Sequence, residues 1–295
     1  MTVLVRNASS LKGTGIRPAS SITDSEVAKE WDKLAPIRLR QIRSKSDITY
    51  NHVIKPSVLG LVRERFQTSV IRNSCLDVGC GIGDLTNNLS VYFEDTLGID
   101  LSEKSIEIAA TYYRHRNSRF LNISLAQLAK EDRHASFECI IASMSLQCVK
   151  DIDKAFLDVA RLISDNGAFL FVIPHPCFWP EYSGYAKLPG YDYGQEFAVT
   201  LPFRITREYQ NDNFSTQFHR PLRRYFAALQ KANFVVEQLI EIKPEPDVEA
   251  LYPIPWIYPR YISVVASLSE KAGSRLNEVG LRARRKIRLR PSSKR

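Results

Sequence analysis

The sequence lacks the features that mark membrane-spanning, disulfide-rich and zinc-binding proteins. It has no run of 18 apolar residues, so we expect no transmembrane helix. Its five cysteines form no C-x-x-C pair, and we predict reduced thiols with neither a disulfide framework nor a metal site. Residues 1–21 contain no apolar segment of a secretory signal, although their serine and arginine content leaves organelle targeting as an alternative. These absences together predict a cytoplasmic protein.

The body of the chain also lacks net charge. The 295 residues carry a formal net charge of +9, and residues 271–295 account for it with ten basic residues and one acid. The other 270 residues hold 31 basic and 31 acidic groups. Enzymes that act on nucleic acid usually spread positive charge over the body that holds the substrate, so the neutral body argues against that class. The basic tail leaves contact with RNA or an anionic membrane open.

Glycine is sparse, but three of the 13 glycines fall within five residues, at Gly79, Gly81 and Gly83. The stretch 75–85 predicts a short buried strand, a turn, and the start of a helix that has Ile82, Leu85 and Leu89 on one face. It lacks the third glycine of the G-x-G-x-x-G dinucleotide fingerprint, and no Gly-Lys-Ser/Thr of a P-loop follows. Such a turn presents backbone N–H groups to a carboxylate, hydroxyl or phosphate. The alternative is a turn that serves packing alone.

Strand and helix patterns alternate along the body and predict a doubly wound α/β sheet. Helices are predicted over 24–45 and 53–66, after Ser102, from Asp151 to a stop at Asn166-Gly167, and from Pro221 to Ala232. Further strands are predicted over 96–100, 120–125, 137–143, 168–173, 234–242 and 261–268. The stretch 174–220 breaks the alternation and is rich in aromatic residues, so we predict a lid or pocket wall there. We therefore divide the chain into a disordered segment 1–22, one domain over 23–269, and a basic tail 270–295.

Two motifs resemble a known family. Asp77-x-Gly79-x-Gly81-x-Gly83, followed by Gly98-Ile-Asp100-Leu-Ser, is similar to the first two motifs of class I S-adenosylmethionine-dependent methyltransferases. The likeness extends through Ser145-Leu-Gln-Cys-Val149, Pro174-His-Pro-Cys-Phe178 and His219-Arg-Pro-Leu-x-x-Tyr225, and covers roughly residues 25–268. The later motifs resemble bacterial-type small-molecule methyltransferases. The resemblance implies a Rossmann-like, seven-stranded, mostly parallel sheet whose last strand is antiparallel, with an N-terminal helical cap and the aromatic lid.

The resemblance implies S-adenosylmethionine as the cofactor. The glycines would lie against its methionine moiety, Asp77 would counter its ammonium, and Asp100 would accept both ribose hydroxyls, which suits a carboxylate with two acceptor oxygens. Family members commonly carry an acid after the third strand for the adenine amino group. This chain has Ser124 there, so backbone groups around Ala126 and the Gln127 amide would read adenine. The complete set of predicted cofactor-binding residues is Asp77, Gly79, Cys80, Gly81, Gly83, Asp100, Leu101, Ala126, Gln127 and Ser143.

Residues for substrate and proton chemistry are predicted from position. His175 follows the fifth strand of the sheet, at the edge where open α/β sheets bind ligands, and is our candidate general base. The alternative is that His175, between two prolines, only shapes its loop. Tyr50, Tyr191 and His219 are candidate substrate-binding residues, and for His219 a structural role is the favoured alternative.

The predicted function is transfer of a methyl group, by in-line displacement, to a small aromatic or lipophilic metabolite. One alternative is a tRNA or RNA methyltransferase that uses the basic tail. A second is a cofactor-binding scaffold without activity. The sequence leaves the acceptor atom and the oligomeric state open.

Overall fold

A computed structural model describes residues 14–66, 74–131, 136–205 and 213–269. The strands over these ranges are β1 Gly15–Arg17, β2 Ser74–Val78, β3 Asp95–Ile99, β4 Ser118–Leu121, β5 Phe137–Ser143, β6 Ile163–Pro174, β7 Phe197–Pro202, β8 Phe214–His219, β9 Phe234–Ile242 and β10 Tyr261–Leu268. The helices are α1 Asp24–Arg43, α2 Lys55–Phe66, α3 Asp84–Leu89, α4 Glu103–Tyr112, α5 Leu125–Glu131, α6 Ile152–Leu162, α7 Trp179–Ser183, α8 Leu222–Lys231 and α9 Pro246–Glu249.

Seven of the described strands form the main sheet, in the order β4-β3-β2-β5-β6-β10-β9. The five neighbouring strands β4, β3, β2, β5 and β6 pair in parallel. Strand β10 pairs antiparallel with β6 on one side and with β9 on the other. This confirms the predicted Rossmann-like sheet with an antiparallel last strand. Because β2 lies between β3 and β5, the chain reverses its direction of winding there, and ligands of open α/β sheets bind at that point.

Apolar side chains on both faces of the sheet hold the helices in place. The apolar run of β6 is buried on both sides, as expected for a central strand. On one face, Phe156 of α6 packs at a centroid distance of 5.3 Å against Phe169. On the other face, α2 contributes Val58 and Val62 to a second cluster. Because helices pack on both faces of the sheet, the carboxyl ends of its strands are held in fixed positions.

Capping side chains begin several helices at the predicted residues. The Ser102 side chain accepts from the backbone N–H of Ser105 at the start of α4, and Asp151 does the same for Lys154 at the start of α6. At the start of α1, Thr23 and Glu26 form a capping box. These caps satisfy N–H groups that the first helical turn leaves without acceptors.

The aromatic stretch between β6 and α8 contains regular structure. Its strands β7 and β8 pair antiparallel, and β1 joins them at the edge of β7 to make a second, three-stranded sheet. The prediction that residues 1–22 are disordered is therefore wrong for 15–22, because β1 gains backbone partners and Ile22 is buried. Residues 1–13 and 270–295, which include the basic tail, lie outside the described residues.

Two further boundaries differ from the predictions. The third strand of the sheet is Ser118–Leu121 rather than 120–125, and Leu125 begins α5 instead. Asn166-Gly167 does not stop a helix: α6 ends at Leu162, and the pair lies inside β6. The register jumps there from Phe137↔Ile163 to Cys139↔Ala168, so the residues between Ile163 and Ala168 form a bulge. The glycine suits that bulge because a Cβ on Gly167 would lie 2.7 Å from Cγ1 of Ile163.

Within the described ranges, no helix has the length and apolar character that crossing a bilayer would require. The same ranges contain no cluster of His, Cys, Asp and Glu that could hold a metal ion.

Candidate functional site

A cavity of about 670 Å³ lies at the carboxyl ends of the parallel strands. One wall is formed by the glycine turn after β2 and by residues that follow β3, β4 and β5. The opposite wall is formed by α1, α7 and the strands β7 and β8. The cavity therefore connects the predicted cofactor motifs to the aromatic insertion.

The three glycines of the turn have different reasons for lacking a side chain. All have positive φ: +71° at Gly79, +53° at Gly81 and +85° at Gly83. A Cβ on Gly79 would lie 2.4 Å from Cβ of Ser145, and one on Gly83 would lie 2.7 Å from the Phe120 ring. A Cβ on Gly81 would meet no atom within 4 Å. The missing side chains at Gly79 and Gly83 therefore allow Ser145 and Phe120 to pack against the turn, whereas the missing side chain at Gly81 leaves open space beside the cavity.

Asp100 is held by the same turn. One carboxylate oxygen accepts from the Gly81 N–H at 2.9 Å, and the other accepts from the Ser102 N–H at 2.8 Å. Burial raises the pKa of this carboxyl group, while the two backbone N–H groups lower it. Each oxygen retains a second lone pair, so the carboxylate can accept two further hydroxyl hydrogens from a ligand in the cavity.

Asp77 is buried at the end of β2 and does not line the cavity. It accepts a hydrogen bond from the Thr86 hydroxyl at 2.6 Å. Burial raises the pKa of Asp77 to about 7. Asp77 would therefore attract a bound ammonium electrostatically across the turn, without touching it.

Tyr50 connects the N-terminal helices to the glycine turn. It lies in a five-residue π-helical segment, Tyr50–Ile54, that leads into α2. Its hydroxyl donates to an Asp84 carboxylate oxygen at 3.0 Å, and Lys55 forms an ion pair with the same oxygen at 3.0 Å. Tyr50 also lines the cavity. The predicted substrate residue therefore lies beside the glycine turn, where it covers the start of α3.

Most of the residues predicted to bind the cofactor line one wall together. These are Gly79, Cys80, Gly81, Asp100, Leu101, Ala126 and Ser143. Gly83 packs beneath the turn, and Gln127 is exposed, where its amide oxygen accepts from the Ser124 N–H at 2.8 Å. The Ser124 hydroxyl in turn accepts from the Gln127 N–H at 3.1 Å, so the pair caps the start of α5. Ser124 and Ala126 remain as the groups near the predicted adenine position.

Several residues of the opposite wall were not identified from the sequence. Trp31 of α1 packs edge-on against Phe203 at a centroid distance of 5.9 Å. The Arg38 guanidinium lies between the rings of Tyr50 and Phe203, 5.8 and 5.4 Å from their centroids, and donates to Asp47 at 2.6 Å. Trp179 and Tyr182, in the predicted lid, line the same wall, and Met144 and Gln147, which follow β5, line the cavity as well. Only the amphipathic character of α1 could have suggested Trp31 and Arg38.

His175 lies outside the cavity. Its Nδ1 accepts from the Cys177 N–H at 3.2 Å, and its Nε2 contacts the Glu241 carboxylate at 3.1 Å on the far strand β9. Burial lowers the pKa of His175, against the opposing effect of Glu241. Because both ring nitrogens already have protein partners, the geometry favours the loop-shaping role over the general base.

His219 and Tyr191 are also not brought to the cavity. His219 is buried and stacks on Phe197 at a centroid distance of 4.7 Å, and its Nδ1 pairs with the Tyr185 hydroxyl at 3.0 Å. Tyr191 packs edge-on against His219. The two form part of the core of the aromatic insertion. Arg220 connects that core to the segment after β5 by donating to the carbonyl groups of Leu146 and Lys150.

Comparisons with known proteins agree with this geometry. The sequence profile of a family described as "Methyltransferase domain" matches residues 76–171. A ubiquinone biosynthesis O-methyltransferase from Bordetella bronchiseptica is 34% identical over 156 residues, 52% of this chain and 62% of the relative.

Two solved structures share the fold. An S-adenosylmethionine-dependent methyltransferase from Clostridium acetobutylicum superposes with a TM-score of 0.54 at 16% identity, covering 81% of this chain and 99% of the other. Magnesium protoporphyrin IX methyltransferase from Synechocystis, with bound SAH, gives a TM-score of 0.56 at 16% identity and covers 83% and 99%.

The methyltransferase-domain match over residues 76–171 and the curated relatives support the class I S-adenosylmethionine-dependent methyltransferase superfamily, and the solved structures share its fold. The chain spans between 36% and 62% of the length of the curated relatives it matches, so the activity and substrates of those proteins do not transfer directly. At the identities found, the solved structures establish the fold.

The residues present fit S-adenosylmethionine. The open face of Gly81 leaves space beside the Asp100 carboxylate, which keeps acceptor capacity for a diol. Ser143 lines the same wall, and its hydroxyl is buried without a partner among the described residues. A buried unpaired hydroxyl is destabilising unless a ligand satisfies it. The cofactor would therefore be held by the glycine turn, Asp100 and the groups near Ala126 and Ser143.

Proposed function

We propose that the chain transfers the methyl group of S-adenosylmethionine to a small metabolite that is partly aromatic or lipophilic. The observation that carries this proposal is the continuity of one cavity from the glycine turn and Asp100 to the aromatic residues of α1 and the insertion. A concave site lined by large apolar side chains suits a small apolar acceptor better than a nucleic acid. A curated relative named for ubiquinone biosynthesis also acts in the metabolism of a small molecule.

When bound, S-adenosylmethionine supplies a methyl group on a sulfonium centre, activated for in-line displacement. The chain's own contribution is to hold the acceptor against that methyl group and to keep water away. Well-oriented reactants lower a barrier by roughly 7–11 kcal/mol, so positioning can carry most of the catalysis. The walls that position the acceptor include Trp31, Trp179 and Phe203. With His175 outside the cavity, we assign no general base.

The test has two stages. Calorimetry should show saturable binding of S-adenosylmethionine and S-adenosylhomocysteine that Asp100→Ala weakens strongly. Formation of S-adenosylhomocysteine should then be measured with a panel of phenols, amines and carboxylic acids. Binding without turnover on any acceptor would favour the scaffold, and absence of binding would overturn the proposal.

The RNA methyltransferase alternative depends on the tail 271–295, which holds ten of the 41 basic residues. Deleting residues 271–295 should leave binding and turnover of small acceptors unchanged. RNA binding that falls steeply with salt and disappears on this deletion, together with methylation of RNA, would support the alternative.

A further inference from the structure

Gln147 lies midway along the cavity, where the cofactor wall meets the aromatic wall. It belongs to a short 3₁₀ segment, Leu146–Cys148, that follows the end of β5. Only 8% of its surface is exposed, and it lines the cavity. Its side chain takes no part in the loop around His175 or in the cap at the start of α5.

One end of the Gln147 amide is fixed. Its Nε2 donates to the Met144 carbonyl oxygen at 2.6 Å. Because a carbonyl oxygen only accepts hydrogen bonds, this contact places the NH₂ group toward Met144 and the Oε1 atom on the other side. Oε1 is buried and has no hydrogen-bond partner within the described part of the chain.

The backbone around this amide is strained as well. Met144 has φ +56°, a conformation that side chains other than glycine adopt rarely. An unpaired buried acceptor and an unfavourable backbone angle both reduce stability, and their coincidence is typical of a ligand site. The free acceptor therefore indicates a ligand that donates a hydrogen bond here.

The surrounding polar groups indicate the charge of that donor. Ser215 and Gln217 of β8 line the cavity together with Gln147 and Ser143, and all four side chains are neutral. Oε1 carries partial negative charge, so it would repel a carboxylate or phenolate. None of the four groups carries a formal charge that would compensate a buried ammonium, so a neutral O–H or N–H is the donor that suits them. The remaining wall combines aromatic side chains, as at Trp31 and Trp179, with charged ones, as at Arg38, Asp100 and Lys150.

We infer that Gln147 selects the acceptor substrate: its Oε1 accepts a hydrogen bond from a neutral hydroxyl or amino group on an otherwise apolar ring. This inference rests on the proposed function and specifies its substrate class. The cofactor also carries O–H and N–H donors, so the test separates the two possible sources.

The test measures ring binding to protein saturated with S-adenosylhomocysteine, by ligand-observed NMR titration. The probes are 4-methylphenol and 4-methylaniline, which donate hydrogen bonds, and 4-methylanisole, which does not. We expect the two donors to bind roughly fivefold more tightly than the anisole, the factor that one net hydrogen bond of about 1 kcal/mol supplies. In Gln147→Leu and Gln147→Met this preference should disappear, whereas Gln230→Leu, an exposed site on α8, should retain it.

Several results would overturn the inference. These are a wild-type protein that binds no probe or does not discriminate among them, and a preference that survives in both Gln147 variants. A loss of S-adenosylhomocysteine affinity in those variants, with the probe preference kept, would assign the donor to the cofactor instead. If the wild-type protein binds no S-adenosylhomocysteine at all, the proposed function itself fails, which is a separate outcome.

Discussion

The two walls of the cavity are built in different ways. The cofactor wall comes from short loops that follow β2, β3 and β5, and its contacts are made by backbone groups and one carboxylate, Asp100. The opposite wall comes from α1 and the insertion, more than 100 residues apart in sequence, and its contacts are made by large side chains. Backbone contacts tolerate few substitutions, whereas a wall of side chains can be rebuilt without disturbing the sheet. The structure thus separates a wall of fixed backbone groups, which we propose holds the cofactor, from an adaptable wall of side chains, which we propose holds the acceptor.

The largest expected effect is at the glycine turn. Gly79→Ala would place a Cβ 2.4 Å from Cβ of Ser145 and keep φ positive, so we expect a loss of roughly 2–4 kcal/mol in the free energy of unfolding. Gly81→Ala meets no neighbouring atom and should lose about 1 kcal/mol, from backbone conformation alone. Gly81→Ala should nevertheless weaken S-adenosylhomocysteine binding, because the added Cβ would occupy open space beside the cavity. Urea denaturation and calorimetry measure the two effects, and equal destabilisation by both substitutions would contradict this distinction.

The second effect concerns Asp100. Asp100→Ala should weaken S-adenosylhomocysteine binding by at least about 100-fold, because two charge-assisted hydrogen bonds are lost. Asp95→Ala, at the other end of β3, is the matched control: among the described residues its carboxylate pairs with exposed Arg119, and the substitution should leave binding unchanged. Calorimetry on both variants checks this, and a similar change in the two would mean that general destabilisation of β3 explains the loss.

A smaller, selective effect is expected on the aromatic wall. Phe203→Leu shortens a ring that packs against Trp31, so the KM of an apolar acceptor should rise about three- to tenfold. Affinity for S-adenosylhomocysteine should change less than about twofold, since Phe203 lies on the wall opposite the glycine turn. Turnover and calorimetry on one preparation provide both values. A parallel loss in the two measurements would show that the walls are not independent.

The smallest effect is on the pH dependence of stability, where two buried residues behind the walls, Asp77 and His219, act in opposite directions. Burial raises the pKa of Asp77 to about 7, so the folded chain binds the extra proton, and this contribution to stability is lost as pH rises toward 7. Burial lowers the pKa of His219 below its ordinary 6.5, so stability falls as pH drops below 6.5, where the unfolded chain takes up the proton first.

Thermal unfolding between pH 5 and 8 separates the two contributions. Asp77→Asn should remove the loss of stability toward neutral pH, and His219→Gln should remove the loss toward acidic pH. If the pH profile of Tm is the same in both variants and the wild type, other groups govern it.

The sequence alone predicted most of the wall that contains the glycine turn, because that wall is local; Asp77, Gly83 and Gln127 are the predicted residues that do not line it. The spacing of Gly79, Gly81 and Gly83 and the position of Asp100 at the end of the next strand depend on neighbouring residues and on the alternation of strands and helices. The same locality explains why the caps at Ser102 and Asp151 were predicted correctly. The bulge at Asn166-Gly167 was missed because it arises from pairing with β5, not from local backbone preference.

Only the tertiary structure decided the acceptor wall. His175 follows β6 and His219 ends β8, yet each side chain contacts a partner that is distant in sequence, Glu241 for His175 and Tyr185 for His219. Trp31 and Arg38 reach the cavity because α1 packs across the open end of the sheet. Packing between elements that are distant in sequence determines which face of each element lines the cavity. Residue spacing along the chain does not specify that face.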